Sequence, residues 1–347
     1  LANFVSKLFE PGSTTAIPLP LVITMVVLLA VRIGVATYES IYPPKATSEL
    51  KWEKLAKVDF SKEIEGQSIL LDFSADWCSP CKVLEQTTFC NKEIVDTVEK
   101  ANFKTIKIVD RKKEDGFNPE PIQNLQDRFE ISSFPTLVVA LSNGAQVTSK
   151  VGTPKPSDMR EFIREALILS KYTMGKEYLL AGRYADGAKT FKNFLDDNDW
   201  KHWRCNYAAL MGAQCEFLLG RKADGLELIK MAKEKIPSDD FPFPLYEYYL
   251  GDIDYNKLVK KAGDSKTDRG VMHENLGISS FAENDFKEAN EHFTWILKNS
   301  PKNWFEYRIA EAFIARMGER IAQEDKAKAL KEKTDQGKNV KPPAVSP

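Results

Sequence analysis

The chain has 347 residues, 43% of them hydrophobic and 29% charged, which suits two or three folded units and excludes a disordered polymer. A formal net charge of −1 leaves no electrostatic footprint for nucleic acid, and five cysteines are too few, and odd in number, for a disulfide scaffold.

In chain order, the first element is Ile17 to Tyr38, almost wholly apolar with Arg32 as its only charge. It is long enough to span the hydrocarbon core of a bilayer. An arginine at a span centre costs ~2.5–3.5 kcal/mol on insertion scales. Here it lies near one end and can extend its guanidinium to the headgroups. The rival reading is a signal peptide cleaved after Gly34-Val35-Ala36. We expect instead an uncleaved single-pass anchor, with residues 1–38 as leader and transmembrane helix and the folded part periplasmic or otherwise extracytoplasmic. Residues 39–57 form a linker opened by Pro43-Pro44, and 318–347 a basic tail closed by Pro342-Pro343 and Pro347.

Residues 58–170 read as an α/β domain. Ser68–Phe73 is a buried strand by its continuous apolar run. A helix follows over Cys78–Phe89, a strand over Phe103–Asp110, a helix over Pro121–Phe129 and a strand over Thr136–Leu141. Asn143-Gly144 favours a tight hairpin turn into Ala145–Val151. Ser157–Leu169 is an amphipathic helix with Ser157 as N-cap. A βαβ crossover joined to a terminal hairpin implies a mixed sheet covered by helices on both faces.

Residues 171–317 read as all-α. Gly182-Arg183-Tyr184 with Ala188 and Phe191 recurs as Asn284-Asp285-Phe286 with Ala289 and Phe293, Tyr184 and Phe286 lying 102 positions apart, and Pro301 closes the second copy. That offset is three periods of ~34 residues. Phe217-Leu218-Leu219-Gly220-Arg221-Lys222, closed by Pro237, is a weaker copy. The pattern resembles the tetratricopeptide repeat family over about Tyr172–Pro301, with Asp239–Ser265 as a degenerate repeat. The resemblance implies a helical array that docks a protein partner.

The chemistry lies in Trp77-Cys78-Ser79-Pro80-Cys81-Lys82, at the junction of a buried strand and a helix. Thiol–disulfide exchange needs a thiolate, and a helix N-terminus stabilises one through unpaired N–H groups and the helix dipole. Cys78 at that point is the expected nucleophile, and Cys81 one turn later the thiol that resolves a mixed disulfide. Pro80 gives up an N–H already orphaned in the first turn. Zinc would need a second cysteine pair or nearby histidines. Cys90 lies too far along, and His202, His273 and His292 all fall in the helical region. No metal or bound cofactor is expected; the redox group is the Cys78–Cys81 disulfide itself. Cys90, Cys205 and Cys215 read as structural thiols.

The run Leu71-Asp72-Phe73-Ser74-Ala75-Asp76-Trp77-Cys78-Ser79-Pro80-Cys81-Lys82 resembles the active-site segment of thioredoxins. Ser133-Phe134-Pro135-Thr136 is similar to their cis-proline landmark, and Lys150-Val151-Gly152 to their closing hairpin. Lys82-Val83-Leu84-Glu85 through Thr88-Phe89 also resembles the periplasmic C-terminal domain of the bacterial transmembrane thiol–disulfide interchange protein. The resemblance implies a thioredoxin-like fold over Val58–Leu169. It makes Asp72 a buried acid that exchanges the proton of Cys81, and Trp77, Pro80, Phe134 and Pro135 the substrate-binding rim. One departure stands out: Ile106 takes the place of the usual lysine near the acid, and Lys107 is one position out of phase, which sends a strand side chain to the other face.

These readings combine into a membrane-anchored protein disulfide oxidoreductase, a reductase or isomerase of protein cysteines, whose repeats dock a protein partner. The alternative is an accessory or scaffold subunit of a membrane complex that uses both folded units as interaction modules.

Overall fold

The computed structural model describes residues 19–41, 49–54, 60, 63–65, 67–236 and 241–338. Most of the expected linker, Pro237 and the end of the tail therefore lie outside the described residues. Helix α1 spans Leu19–Ile41. Its described apolar side chains face outward, with Met25, Leu28 and Leu29 each more than half exposed. Among the described residues no helix is long and apolar enough to cross a membrane, and the expected span Ile17 to Tyr38 falls partly outside them.

The α/β unit is a five-stranded mixed sheet of β1 (Glu53–Lys54), β2 (Ile69–Ala75), β3 (Lys104–Asp110), β4 (Thr136–Ala140) and β5 (Gln146–Val151), in the order β1-β3-β2-β4-β5. β2 is central: parallel to β3 on one side, antiparallel to β4 on the other. All seven of its residues are buried, because helices cover both faces. Ile69, Leu71 and Phe73 point to one face and pack with Ile106, Ile108, Leu125 and Phe129. Leu70 points to the other and packs with Leu84, Ile94, Val139 and Ile163. The first face carries α5 (Glu120–Arg128); the second carries α2 (Ser79–Leu84), α3 (Lys92–Lys100) and the long α6 (Pro156–Leu180). A four-residue turn, α4 (Lys112–Asp115), precedes α5.

Several local expectations shift. Helix α3 and strand β1 have no counterpart among the expected elements, yet α3 has a plain signal: Asn91 accepts from the Glu93 and Ile94 N–H groups, and Ile94, Val95 and Val98 form the buried stripe. The expected helix from Cys78 to Phe89 ends its α-helical part at Leu84 and continues as a π-helical turn, Glu85–Phe89. Helix α6 starts at Pro156 and not Ser157; Pro at the first position supplies the helical φ, and the Ser157 hydroxyl bonds Asp158 instead of capping. The β4–β5 turn is not a two-residue hairpin. Only Gly144 takes a positive φ, of 80°, after a turn closed from Gly144 N–H to the Leu141 carbonyl at 2.9 Å.

The expected boundary at 170/171 falls inside α6, which runs unbroken from the sheet into the helical region. There follow α7 (Tyr184–Asp197), α8 (Cys205–Leu218), α9 (Lys222–Lys235), α10 (Phe243–Tyr249), α11 (Tyr255–Ala262), α12 (Lys266–Ala282), α13 (Phe286–Asn299) and α14 (Phe305–Lys338). Three helix pairs share one packing rule. A glycine on the first helix faces a large side chain sixteen positions on: Gly175 with Phe191, Gly212 with Leu228, Gly277 with Phe293. The absent Cβ lets the helices approach, and fully burying each phenylalanine contributes roughly 1.5–3 kcal/mol. The turn of the first pair uses Gly182 at φ 77°, and that of the last uses Asn284 at φ 63°, each with its N–H on the carbonyl three residues back.

Candidate active site

The site is built where β2 ends. Ala75 closes the strand, and its carbonyl accepts from the Cys78 N–H at 3.0 Å. Cys78 then takes extended backbone geometry as the N-cap of α2, and its Sγ accepts from the Cys81 N–H at 3.2 Å. A cysteine sulfur thus stands where a serine or aspartate oxygen usually caps a helix, so the helix end favours a negative sulfur. Cys78 and Cys81 are joined by a disulfide, with Cα atoms 5.3 Å apart. Both are nearly enclosed, at 2% and 4% exposure, packed with Ala75 and Phe134.

The rim residues gather around this pair. Trp77 is 47% exposed, and its ring meets Phe134 edge-on at 6.1 Å. Pro80 is exposed beside it. The Phe134–Pro135 bond is cis, and the buried Pro135 offers its carbonyl to the Gly152 N–H at 2.9 Å. Lys113 lies over the Trp77 ring, 4.9 Å from its centroid. Arg111 binds Asp76 at 2.9 Å, which ties the charged loop after β3 to the residue before Trp77. That loop is also anchored from within: Asp110 accepts from Asn118 at 2.7 Å and Gln126 at 3.0 Å.

Asp72 is 1% exposed, and its Oδ1 has no hydrogen-bond partner among the described residues. Burial pushes its pKa up to about 7; the nearby Lys107 ammonium opposes that rise. The β2–β3 register corrects the sequence expectation about Lys107. Asp72 pairs with Lys107, and Leu71 with Ile106, in a parallel ladder, so Lys107 shares the face of Asp72. The position after Ile106 is therefore in phase. Lys107 in turn forms an ion pair with Glu85, four residues beyond Cys81. Glu85 is the polar group that sequence reasoning missed. Its signal was there: a carboxylate one helical turn from the second cysteine lies on the same side of the helix.

The remaining thiols sit elsewhere. The Cys90 Sγ donates to the Gln86 carbonyl at 2.8 Å. Cys205 and Cys215 are buried in α8, where burial pushes the Cys205 thiol up to about 11 and Cys215 higher. Among the described residues no group of three or more His, Cys, Asp or Glu could hold a metal ion.

Residues 51–165 match the thioredoxin family model. The thioredoxin of Rickettsia bellii is 30% identical over 95 residues, covering 27% of this chain and 77% of that protein. The thioredoxin of Buchnera aphidicola subsp. Schizaphis graminum is 30% identical over 115 residues, covering 32% and 93%. The chain belongs to the thioredoxin family. Its C-x-x-C pair is Cys78–Cys81, and the domain is that of a thiol–disulfide oxidoreductase, which fits protein thiols and disulfides as substrates. Among solved structures, the reduced C-terminal domain of Neisseria meningitidis DsbD is 25% identical, covering 29% of this chain and 81% of that one, with a TM-score of 0.24. The matched residues leave the thioredoxin-family domain followed by a helical C-terminal region.

Proposed function

We propose that this protein is a membrane-anchored oxidoreductase that reduces or isomerises protein disulfides, with its helical hairpins docking a protein partner. The observation that carries the reading is the placement of Cys78 as the N-cap of α2 on the same domain as a buried acid poised near neutrality. In the reduced protein the Cys78 thiolate attacks a client disulfide. One client sulfur leaves as thiolate, and the other is held on Cys78. Asp72 accepts the proton of Cys81, whose thiolate attacks the Cys78 sulfur and releases the second client thiolate. Two electrons pass to the client, and the Cys78–Cys81 disulfide forms. An external dithiol restores the reduced pair.

The outward-facing apolar side chains of α1 support the anchor, and we place the folded part on the extracytoplasmic side. The recurring sixteen-residue glycine contact supports a tetratricopeptide-like array. One observation favours the second reading, an accessory or scaffold subunit of a membrane complex. Helix α6 leaves the disulfide end of the sheet, where Thr153 bonds the Pro80 carbonyl at 3.3 Å, and reaches the opposite end at Glu177. That path is about 30 Å. The hairpins pack along α6 from Glu165, which accepts from the Trp203 indole N–H at 3.2 Å, to Glu177, so a partner seated on their outer helices does not need the dithiol to bind.

A trapping experiment separates the two. Cys81→Ser in the full-length membrane protein leaves Cys78 unable to resolve. Reducible adducts that vanish with Cys78→Ser identify client or donor; a folded protein without adducts, its partners present, supports the scaffold.

A further inference from the structure

The helical region carries a cleft of about 440 Å³ where the α8–α9 turn meets α10 and the end of α12. Its wall is a row of three rings. The centroids of Phe217 and Tyr249 are 5.6 Å apart, and those of Tyr249 and Tyr248 are 5.9 Å apart. The Tyr249 hydroxyl donates to the Asn275 carbonyl at 3.0 Å, which fixes the middle ring. Two carboxylates, Glu283 and Glu288, also line the cleft. It already holds one cation: Lys222 Nζ lies 2.6 Å from Glu283 Oε1, across from a different hairpin.

We propose that this cleft takes an arginine side chain from an extended segment of a protein partner, and that Lys222 is a resident cation which the guest displaces. An anionic guest would meet Glu283 and Glu288. A purely apolar guest would strip water from both carboxylates with nothing in return. A guanidinium satisfies both features, because it stacks on aromatic faces and pairs with carboxylates through a planar fork. The resident pair is exposed, with Lys222 at 67% and Glu283 at 56%, so exchanging one cation for another costs little. The inference rests on the proposed docking role only in taking the guest from a protein chain; it does not depend on the dithiol.

The test is calorimetric titration of the detergent-solubilised full chain with acetyl-Gly-Ser-Arg-Ser-Gly-amide and with its neutral citrulline counterpart. The arginine peptide should bind saturably, and the citrulline peptide about tenfold more weakly. Lys222→Ala should tighten the arginine peptide about threefold, and the double change Glu283→Gln with Glu288→Gln should weaken it about tenfold. Tyr248→Phe keeps the ring and should keep binding, whereas Tyr248→Ala should lose it. Equal affinity for the two peptides, absence of saturable binding, or weaker binding by Lys222→Ala overturns the proposal. Trapping through Cys78 is read in the chain with the cleft residues unaltered, so failure of this site and failure of the exchange chemistry are distinguished.

Discussion

Asp72 holds its proton more tightly in the folded chain than in the unfolded one. Its contribution therefore favours folding below about pH 4 and is lost as the pH rises to about 7, where the fold must bury a carboxylate. Asp72→Asn removes that cost. The oxidised variant should gain roughly 4 kcal/mol over the parent at pH 8 and little at pH 4, read from denaturant midpoints. A gain equal at both pH values would remove ionisation as its cause. Glu85 acts one residue further out, through Lys107. Glu85→Gln leaves the Lys107 ammonium to Asp72 alone and should lower the acid limb of the exchange rate by roughly half to one pH unit; Lys107→Met should raise it by a similar amount. If neither variant moves the limb, the ion pair lies outside the proton path.

At the scale of elements, the helix pairs depend on missing methyl groups. A Cβ at Gly175 would lie 2.7 Å from the Phe191 ring, and one at Gly277 would lie 2.8 Å from Phe293. Gly175→Ala and Gly277→Ala should each destabilise the chain by ~1–3 kcal/mol, seen as a lower melting temperature. Gly318, on α14, has nothing within 4 Å of its would-be Cβ, so Gly318→Ala should stabilise by ~0.5–1 kcal/mol through helix propensity. Similar small effects at all three would mean that the pairs are held by something other than close approach.

At the scale of the molecule, α6 makes the two folded parts share one helix, and Glu177 near its end clamps them. It accepts from Arg308 in a two-pronged pair at 3.0 and 3.3 Å and from Asn143 at 2.9 Å. Ile64, Leu141 and Tyr178 fill the seam beside it. Glu177→Ala strands both partners. Because Arg308 is 43% exposed, the cost is roughly 2 kcal/mol and not the full value of a buried pair. Calorimetry should then resolve two unfolding transitions in place of one; a single unchanged transition would show that the shared helix and apolar seam suffice.

The order of residues alone specifies the thioredoxin-like unit, because its signals are local. An apolar run, a cysteine pair at the following helix start, and turn residues in order each act within a few positions. It also determined that the remainder is helical, since glycine and aromatic positions recur. Register and distance come only from packing. Whether Lys107 meets Asp72 depends on how β3 slides against β2, and a one-residue difference reverses the answer. The raised pKa of Asp72 depends on what covers it, and no neighbour in sequence reports that. That one helix carries both folded parts follows from the length of α6, which a boundary drawn at residue 170 would have cut in two.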